Sequence, residues 1–289
     1  MAPPAFAGNS QGVVRTFEPT NPPGAERVAA GAPGERVLRR KAGRIRYALS
    51  LARDEGEVRA AQTLRFLVFN LELHEGLESA FATCRDADPF DAVCDHLLVR
   101  ELESGEVVGT YRLQAGRRAG AVERLYCAQE FDLTPFAGRG DELLELGRAC
   151  VHRHHRNLAV LSLLWQGIYA YAREVNARYL IGCSSLPGTD PAVGARAYSD
   201  LIRQYLAPAP WLTQPHPALA CPLWELSPEP APIPRLLSAY LSLGARICGP
   251  PALDREFKTV DFLTWLDLAA LSERARALVE TAPAGPQLE

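Results

Sequence analysis

Glu145 and Arg148 stand inside LLELGRACV, residues 143–151, a run that otherwise reads as an apolar strand. A charge buried without a partner is costly, so a pair kept at such a place points to chemistry. Glu145 can accept a proton. Directly afterwards, residues 152–156 (HRHHR) deliver cationic and proton-accepting side chains to the start of a long amphipathic helix that Asn157 can cap. A helix N-terminus offers unpaired N–H groups and a positive dipole end, which together can hold a phosphate. A proton acceptor beside a phosphate site suits the transfer of an acyl group from a phosphopantetheine thioester.

Three positions apart, Glu145 and Arg148 would face opposite sides of a regular strand. Gly147 between them could host a bulge, re-aiming both side chains and turning a backbone N–H toward a bound carbonyl. The alternative is a surface strand with one exposed ion pair. Arg153 and Arg156 are the phosphate candidates, with a solvated basic cluster as the alternative. No carboxylate or cysteine is spaced to complete a metal site with His152 and His154, so no metal is expected. Upstream, Asp91 and Asp95 lie just before a strand. They could receive a substrate ammonium, pair with Arg112 or Arg148, or serve as ordinary turn and cap residues. Arg112, inside VVGTYRL, needs an exposed face or an acid partner, and in the second case it is a structural or substrate-orienting clamp.

Elements that position these residues follow from periodicity. Ile45–Leu51 alternates as a strand. Asp54 caps a helix whose apolar stripe is Val58, Ala61, Leu64, Val68 and Leu71. Leu97–Leu102 and Val107–Leu113 form a hairpin, and Leu143–Val151 is the next strand. After Asn157 comes a helix with the stripe Leu158, Leu161, Trp165, Ile168, Ala172 and Val175. Tyr179–Cys183 is a strand, 190–206 a helix, 208–230 a Pro-rich stretch, and a last helix around Ile233–Leu241 leads into strands at 245–248 and 260–266. The long helix between two consecutive strands implies a parallel crossover in an otherwise mostly antiparallel mixed sheet, with helices on both faces. Residues 1–40, rich in Pro, Gly and Ala, are expected to be a disordered tail, with order beginning at Arg44.

The 289 residues carry a net charge of −3, which argues against nucleic acid as the main partner. Seven cysteines form an odd, scattered set without a CxxC pair, as expected of free thiols in a reducing cytosol. No apolar run is long enough to span a bilayer, and no secretory h-region follows Met1.

The succession FDAVCDHLLV, VGTYRL, ELGRACV, LLWQGIYAY, YLIGCSS and PIPRLLSAYLSLGARICGPPALDREFKTVDFL resembles the ornithine–acyl-carrier-protein N-acyltransferases. These are GNAT-like, "hemolysin-like" enzymes that make the first intermediate of ornithine lipids. The resemblance spans about residues 45–275, including a family-specific C-terminal extension at about 208–275. The order of Asp91/Asp95, Arg112 and Glu145-x-x-Arg148 is also similar to the acyl-homoserine lactone synthases, and this likeness implies that the acids sit at the amine-binding end. Ordinary acetyl-CoA enzymes of the fold carry a Gly-rich pyrophosphate loop where this chain has Val151–Arg156. A basic rim there implies a thioester on acyl carrier protein, whose acidic helix arginines can steer.

The resemblance implies a GNAT-like α+β domain over 41–289 that moves a 3-hydroxyacyl chain to the α-amine of ornithine. Glu145 would be the general base, assisted by Arg148, with a Gly147 backbone N–H at the oxyanion. Asp91, Asp95 and Arg112 would bind substrate, and Arg153, Arg156 and Asn157 the carrier arm. No cofactor is expected beyond that acyl-phosphopantetheine. No acyl-enzyme is required, so the cysteines are not nucleophiles; Cys150, on the same strand, is the alternative. The protein is expected in the cytoplasm, touching the inner membrane surface through the stretch holding Trp211 and Trp224, unless those tryptophans close the core. Rival readings are an acyl-homoserine-lactone-type synthase, which needs an adenosylmethionine site, an acyltransferase for another amino acid such as glycine, and a non-catalytic lipid- or carrier-binding module.

Overall fold

The computed structural model describes residues 38–280. A hairpin of β1 (Leu38–Ala42) and β2 (Ile45–Leu51) opens the chain. Order therefore begins before Arg44, and the last residues of the expected tail, 38–40, belong to a strand. Leu38 pairs with Leu49 and Arg40 with Tyr47, a partnership that composition cannot reveal. Residues 1–37 lie outside the described residues.

Asp54 caps α1 (Glu55–Phe66), its Oδ1 accepting from the Glu57 N–H at 2.9 Å. The helix runs on through a π-helical turn, residues 67–72. A wider turn breaks the 3.6-residue period, so Leu71, expected on the buried stripe, is half exposed. The meander β3 (Asp95–Glu101) and β4 (Val107–Ala115) is followed by a one-turn helix, α2 (Gly116–Ala119), and a long irregular segment. Next come β5 (Leu143–Val151), α3 (Leu158–Glu174), β6 (Tyr179–Pro187), α4 (Pro191–Tyr205) and α5 (Arg235–Leu243). The chain closes with β7 (Arg246–Ile247), β8 (Ala252–Asp254), β9 (Thr259–Asp267) and α6 (Glu273–Val279). Periodicity missed α2, β8 and α6, all shorter than the window in which a period shows.

The strands form one sheet in the order β1-β2-β3-β4-β5-β6-β9-β7, with β8 on β9. β5 and β6 run parallel, as the α3 crossover requires; the other paired strands are antiparallel. The C-terminal segment is not an appendage, because β9 pairs with β6 along its whole length. Asn157 caps α3 by accepting from the Ala159 and Val160 N–H groups. The apolar face of α3 packs on one side of the sheet with Leu49, Val99, Leu113 and Leu144, although Leu158 at its first turn is exposed. On the other side, α1 and the irregular segment cover β4, β5 and β6, burying Phe131, Phe136, Leu143 and Ile181. Trp211 belongs to this second core, stacked on Trp265 and beside Tyr179, so it closes the interior and is no membrane contact.

Candidate active site

β5 and β6 stay paired only from Leu143 to Glu145 against Tyr179 to Ile181, and then part. Gly182 sits at the fork, where a Cβ would lie 2.4 Å from the Leu146 carbonyl oxygen; the strands can touch there because this position has no side chain. Beyond it the two strands diverge around a cavity of about 310 Å³. Glu145, Gly147 and Arg148 line it from β5, and Ser184 and Ser185 from β6. Tyr111, Trp165, Leu180, Leu237, Tyr240 and Leu266 give its other end an apolar wall.

The bulge occurs one residue after Gly147. Arg112 pairs with Gly147 but Thr110 pairs with Cys150, so Tyr111 faces two residues of β5. Arg148 takes up the extra length with a left-handed φ of 49°. Leu144 and Leu146 face α3 before the bulge, and Ala149 and Val151 after it. This change of parity puts Arg148 on the same side of the sheet as Glu145.

Glu145 is 4% exposed. Its two oxygens accept from the Tyr126 and Cys127 N–H groups at 2.8 and 2.7 Å. Burial raises its pKa, and the Cys127 and Tyr126 bonds restrain the rise without cancelling it. The carboxylate is thus fixed in place on the cavity wall yet easier to protonate than in water.

Arg148 and Arg112 both reach the wall, but their charges are engaged behind it. Arg148 Nη2 donates to Asp88 at 2.9 Å and its guanidinium lies over the Tyr126 and Phe257 rings. Arg112 Nη1 donates to Asp88 at 2.6 Å and to Asp91 at 3.1 Å. Arg65, fully buried on α1, grips Asp91 with two parallel bonds of 2.9 and 2.6 Å and lies 2.9 Å from Asp86. Three arginines thus oppose three aspartates. Burial alone would raise the Asp91 carboxyl, but the Arg65 guanidinium outweighs it and holds the group far below the usual carboxylate range.

Asp91 therefore does not face the cavity. It also accepts from the Asp88 N–H and shares a capping box with Asp88 over the short turn Pro89–Ala92. Asp95 is placed elsewhere again, bonded to Arg118 and to the Tyr171 hydroxyl on the α3 side. Neither acid is free to receive an ammonium in the cavity, so both are corrected to ion-pair positions. Two members of the expected carrier rim are engaged as well. Arg156 makes a bidentate pair with Glu72 at 2.7 and 2.9 Å and also donates to the Val151 carbonyl, while the Asn157 amide oxygen is spent on the helix cap. Arg153 remains exposed. Cys150 packs in a buried apolar cluster with Leu64 and Val68, off the cavity wall, and burial pushes its thiol up.

Sequence reasoning overlooked a second group of acids. Glu130, Asp254 and Asp261 converge, with one carboxylate oxygen from each lying within 4.8 Å of the others. Asp254 and Asp261 line the cavity, as does Glu75. The signal was present for Asp261, which interrupts the apolar run TVDFLTWL just as Glu145 interrupts its own strand. Burial raises Asp261 to about 6 and Glu75 to about 7, the nearby Asp261 charge adding to the rise of Glu75. The Asp254 charge crowds Asp261 further, while hydrogen bonds with Ser185, Glu130 and Thr259 restrain its rise, and Arg148 lowers Glu130 only in part. Folded-state values above the ordinary ones mean a stabilising contribution that is complete below about pH 4 and lost as pH rises through about 6 to 7. Thermal melts of the ligand-free protein should show Tm falling across that window, and Asp261→Asn should flatten the slope. An unsloped wild-type profile would show the acids to be better solvated than their burial implies.

The mostly antiparallel sheet with its one parallel pair parting at the fork is the architecture of a GNAT-type acyltransferase domain, and residues 64–166 match the acetyltransferase (GNAT) domain family. Among solved structures, the N-acyl amino acid synthase FeeM from uncultured soil microbes is similar over 81% of this chain and 98% of its own, with 14% identity and a TM-score of 0.49. The acyl-homoserine lactone synthase LasI is similar over 83% and 98%, with 12% identity and a TM-score of 0.46. An L-ornithine N(alpha)-acyltransferase of Agrobacterium fabrum is 37% identical over 239 residues, covering 78% of this chain and 82% of that protein. Another, of Rhodobacter capsulatus, is 35% identical over 243 residues, covering 80% and 94%. The chain belongs to the L-ornithine N(alpha)-acyltransferase family.

Proposed function

We propose that the protein moves a 3-hydroxyacyl chain from acyl carrier protein to the α-amine of L-ornithine, the first step of ornithine lipid synthesis. Glu145, fixed at the fork on the wall of a cavity with an apolar far end, is the observation that carries this reading. An amine attacks a thioester only when neutral, so Glu145 takes its proton directly or through one water, and its raised pKa suits that work. The edge of β5 past Glu145 has no ladder partner on the β6 side, and a backbone N–H near Gly147 there binds the oxyanion. Arg148 positions this segment: its guanidinium, anchored on Asp88, holds the bulge. The acyl chain lies toward Trp165, Leu237 and Tyr240. The amine attacks the thioester carbon, and collapse of the tetrahedral intermediate expels the pantetheine thiol with no acyl-enzyme.

The test is reconstitution with 3-hydroxyacyl carrier protein and labelled ornithine, followed by mass spectrometry. N-acyl-ornithine should form faster from the carrier than from the matching acyl-CoA. No product from either donor would overturn the reading, and a preference for CoA would overturn its donor. Arg153 is the exposed cation left at the expected rim, so Arg153→Glu should raise KM for the carrier and weaken its salt dependence. An unchanged KM at low salt would move the docking surface elsewhere.

No helix among the described residues is long and apolar enough to cross a membrane. The product is amphiphilic, and we place the enzyme at the cytoplasmic membrane face through Trp224, which is 85% exposed, with Leu223 and Leu226 also exposed beside it in sequence. Liposome flotation should drop on Trp224→Ser. Equal flotation of both proteins would remove this loop from membrane contact.

A further inference from the structure

Glu130 and Asp261 are 4% and 3% exposed. Both oxygens of Glu130 and Oδ1 of Asp261 are buried with no N–H or hydroxyl donor among the described residues, and the two carboxyl groups meet each other there. Buried carboxylates without donors are strongly disfavoured, and here they converge with Asp254. Asp254 is held in position by its own turn, Oδ1 accepting from the Glu256 and Phe257 N–H groups. Thr259 Oγ1 donates to the other oxygen of Asp261 at 3.2 Å. The nearby cation, Arg148, is already spent on Asp88. Asp254 and Asp261 open this cluster onto the same cavity that Glu145 lines.

We propose that Glu130, Asp254 and Asp261 form the pocket for the side-chain ammonium of the acceptor, and so select an amino acid with a terminal amine. An ammonium has three N–H donors and no acceptor, which matches three carboxylates. A divalent ion suits the place less well. Calcium takes six to eight oxygens and magnesium keeps several waters, whereas the neighbouring wall carries the aromatic rings of Tyr126 and Phe257. With the terminal amine anchored here, the acceptor spans the cavity and leaves its α-amine for Glu145. This inference rests on the reading of the protein as an amino-acid N-acyltransferase and adds which acceptors it takes.

The experiment compares ornithine with norvaline, which has the same carbon chain but no terminal amine, in wild type, Asp261→Asn and Glu130→Gln. A pocket whose buried polar groups are left unpaired rejects the analogue strongly, so wild-type kcat/KM should favour ornithine by on the order of 10³-fold or more. Each variant should shrink that ratio at least tenfold through the ornithine term. Calorimetric titration of the same amino acids, without acyl donor, should show ornithine binding weakened in the variants. Equal use of norvaline by the wild type, or a ratio unchanged in folded variants, would overturn the subsite while leaving the acyltransferase reading in place. Failure to acylate either amino acid would instead count against that reading. Thermal stabilisation by calcium or magnesium that is lost in Asp261→Asn, with none from ornithine, would make this a metal site and overturn the proposal.

Discussion

Glu145→Gln should lower turnover by roughly two to four decades, the usual range for a lost general base. The amide can accept from only one of the Tyr126 and Cys127 N–H groups and sets its NH2 against the other, so some stability is lost as well. A pH profile separates the two effects. If Glu145 removes the proton, the deficit narrows as pH rises and the amine loses its proton to solvent. A purely structural glutamate would leave the deficit constant with pH, and near-normal turnover would return Glu145 to the role of loop anchor. The acid limb of wild-type kcat/KM should also lie above the ordinary glutamate range, in the direction of its shift.

Arg65→Met should cost about 3–5 kcal/mol, because it strands Asp91 and Asp86 in the interior without their closest cation. A domain of this kind has a total stability of about 5–15 kcal/mol, so the variant should accumulate poorly or unfold at much lower urea. The pH dependence has a definite sign. The folded Asp91 pKa is depressed, so its stabilising contribution is present above its unfolded value near about 4 and fades as pH falls below it. The gap between wild type and Arg65→Met should therefore be widest near neutrality and narrow in acid. A loss under about 1 kcal/mol would show that Arg112 and Arg148 can hold all three aspartates unaided.

Much of this arrangement was legible along the chain. The strand over 143–151, the Asp54 and Asn157 caps and the parallel crossover follow from local periodicity and from side-chain chemistry beside the backbone. Glu145 drew attention because an apolar strand should not hold a lone carboxylate. The same argument, carried to Asp261 or to Arg65 in the buried face of α1, would have found the acidic pocket and the arginine that organises Asp86 and Asp91.

Partners were a different matter. Asp91, Asp95, Arg156 and Asn157 all looked available in sequence, and each is engaged in the fold by residues 23 to 110 positions away, from Asp95 on Arg118 to Asn157 on Tyr47. Trp211 and Trp224 look alike in one Pro-rich stretch, yet one stacks in the core and the other is exposed. Sequence by itself determined which side chains are too costly to bury unless something answers them, since that cost belongs to the residue type and its apolar neighbours. Tertiary structure decided what answers them. Arg65 neutralises Asp91, two backbone N–H groups hold Glu145, and Glu130 and Asp261 are left facing one another because long-range packing sets which charges meet.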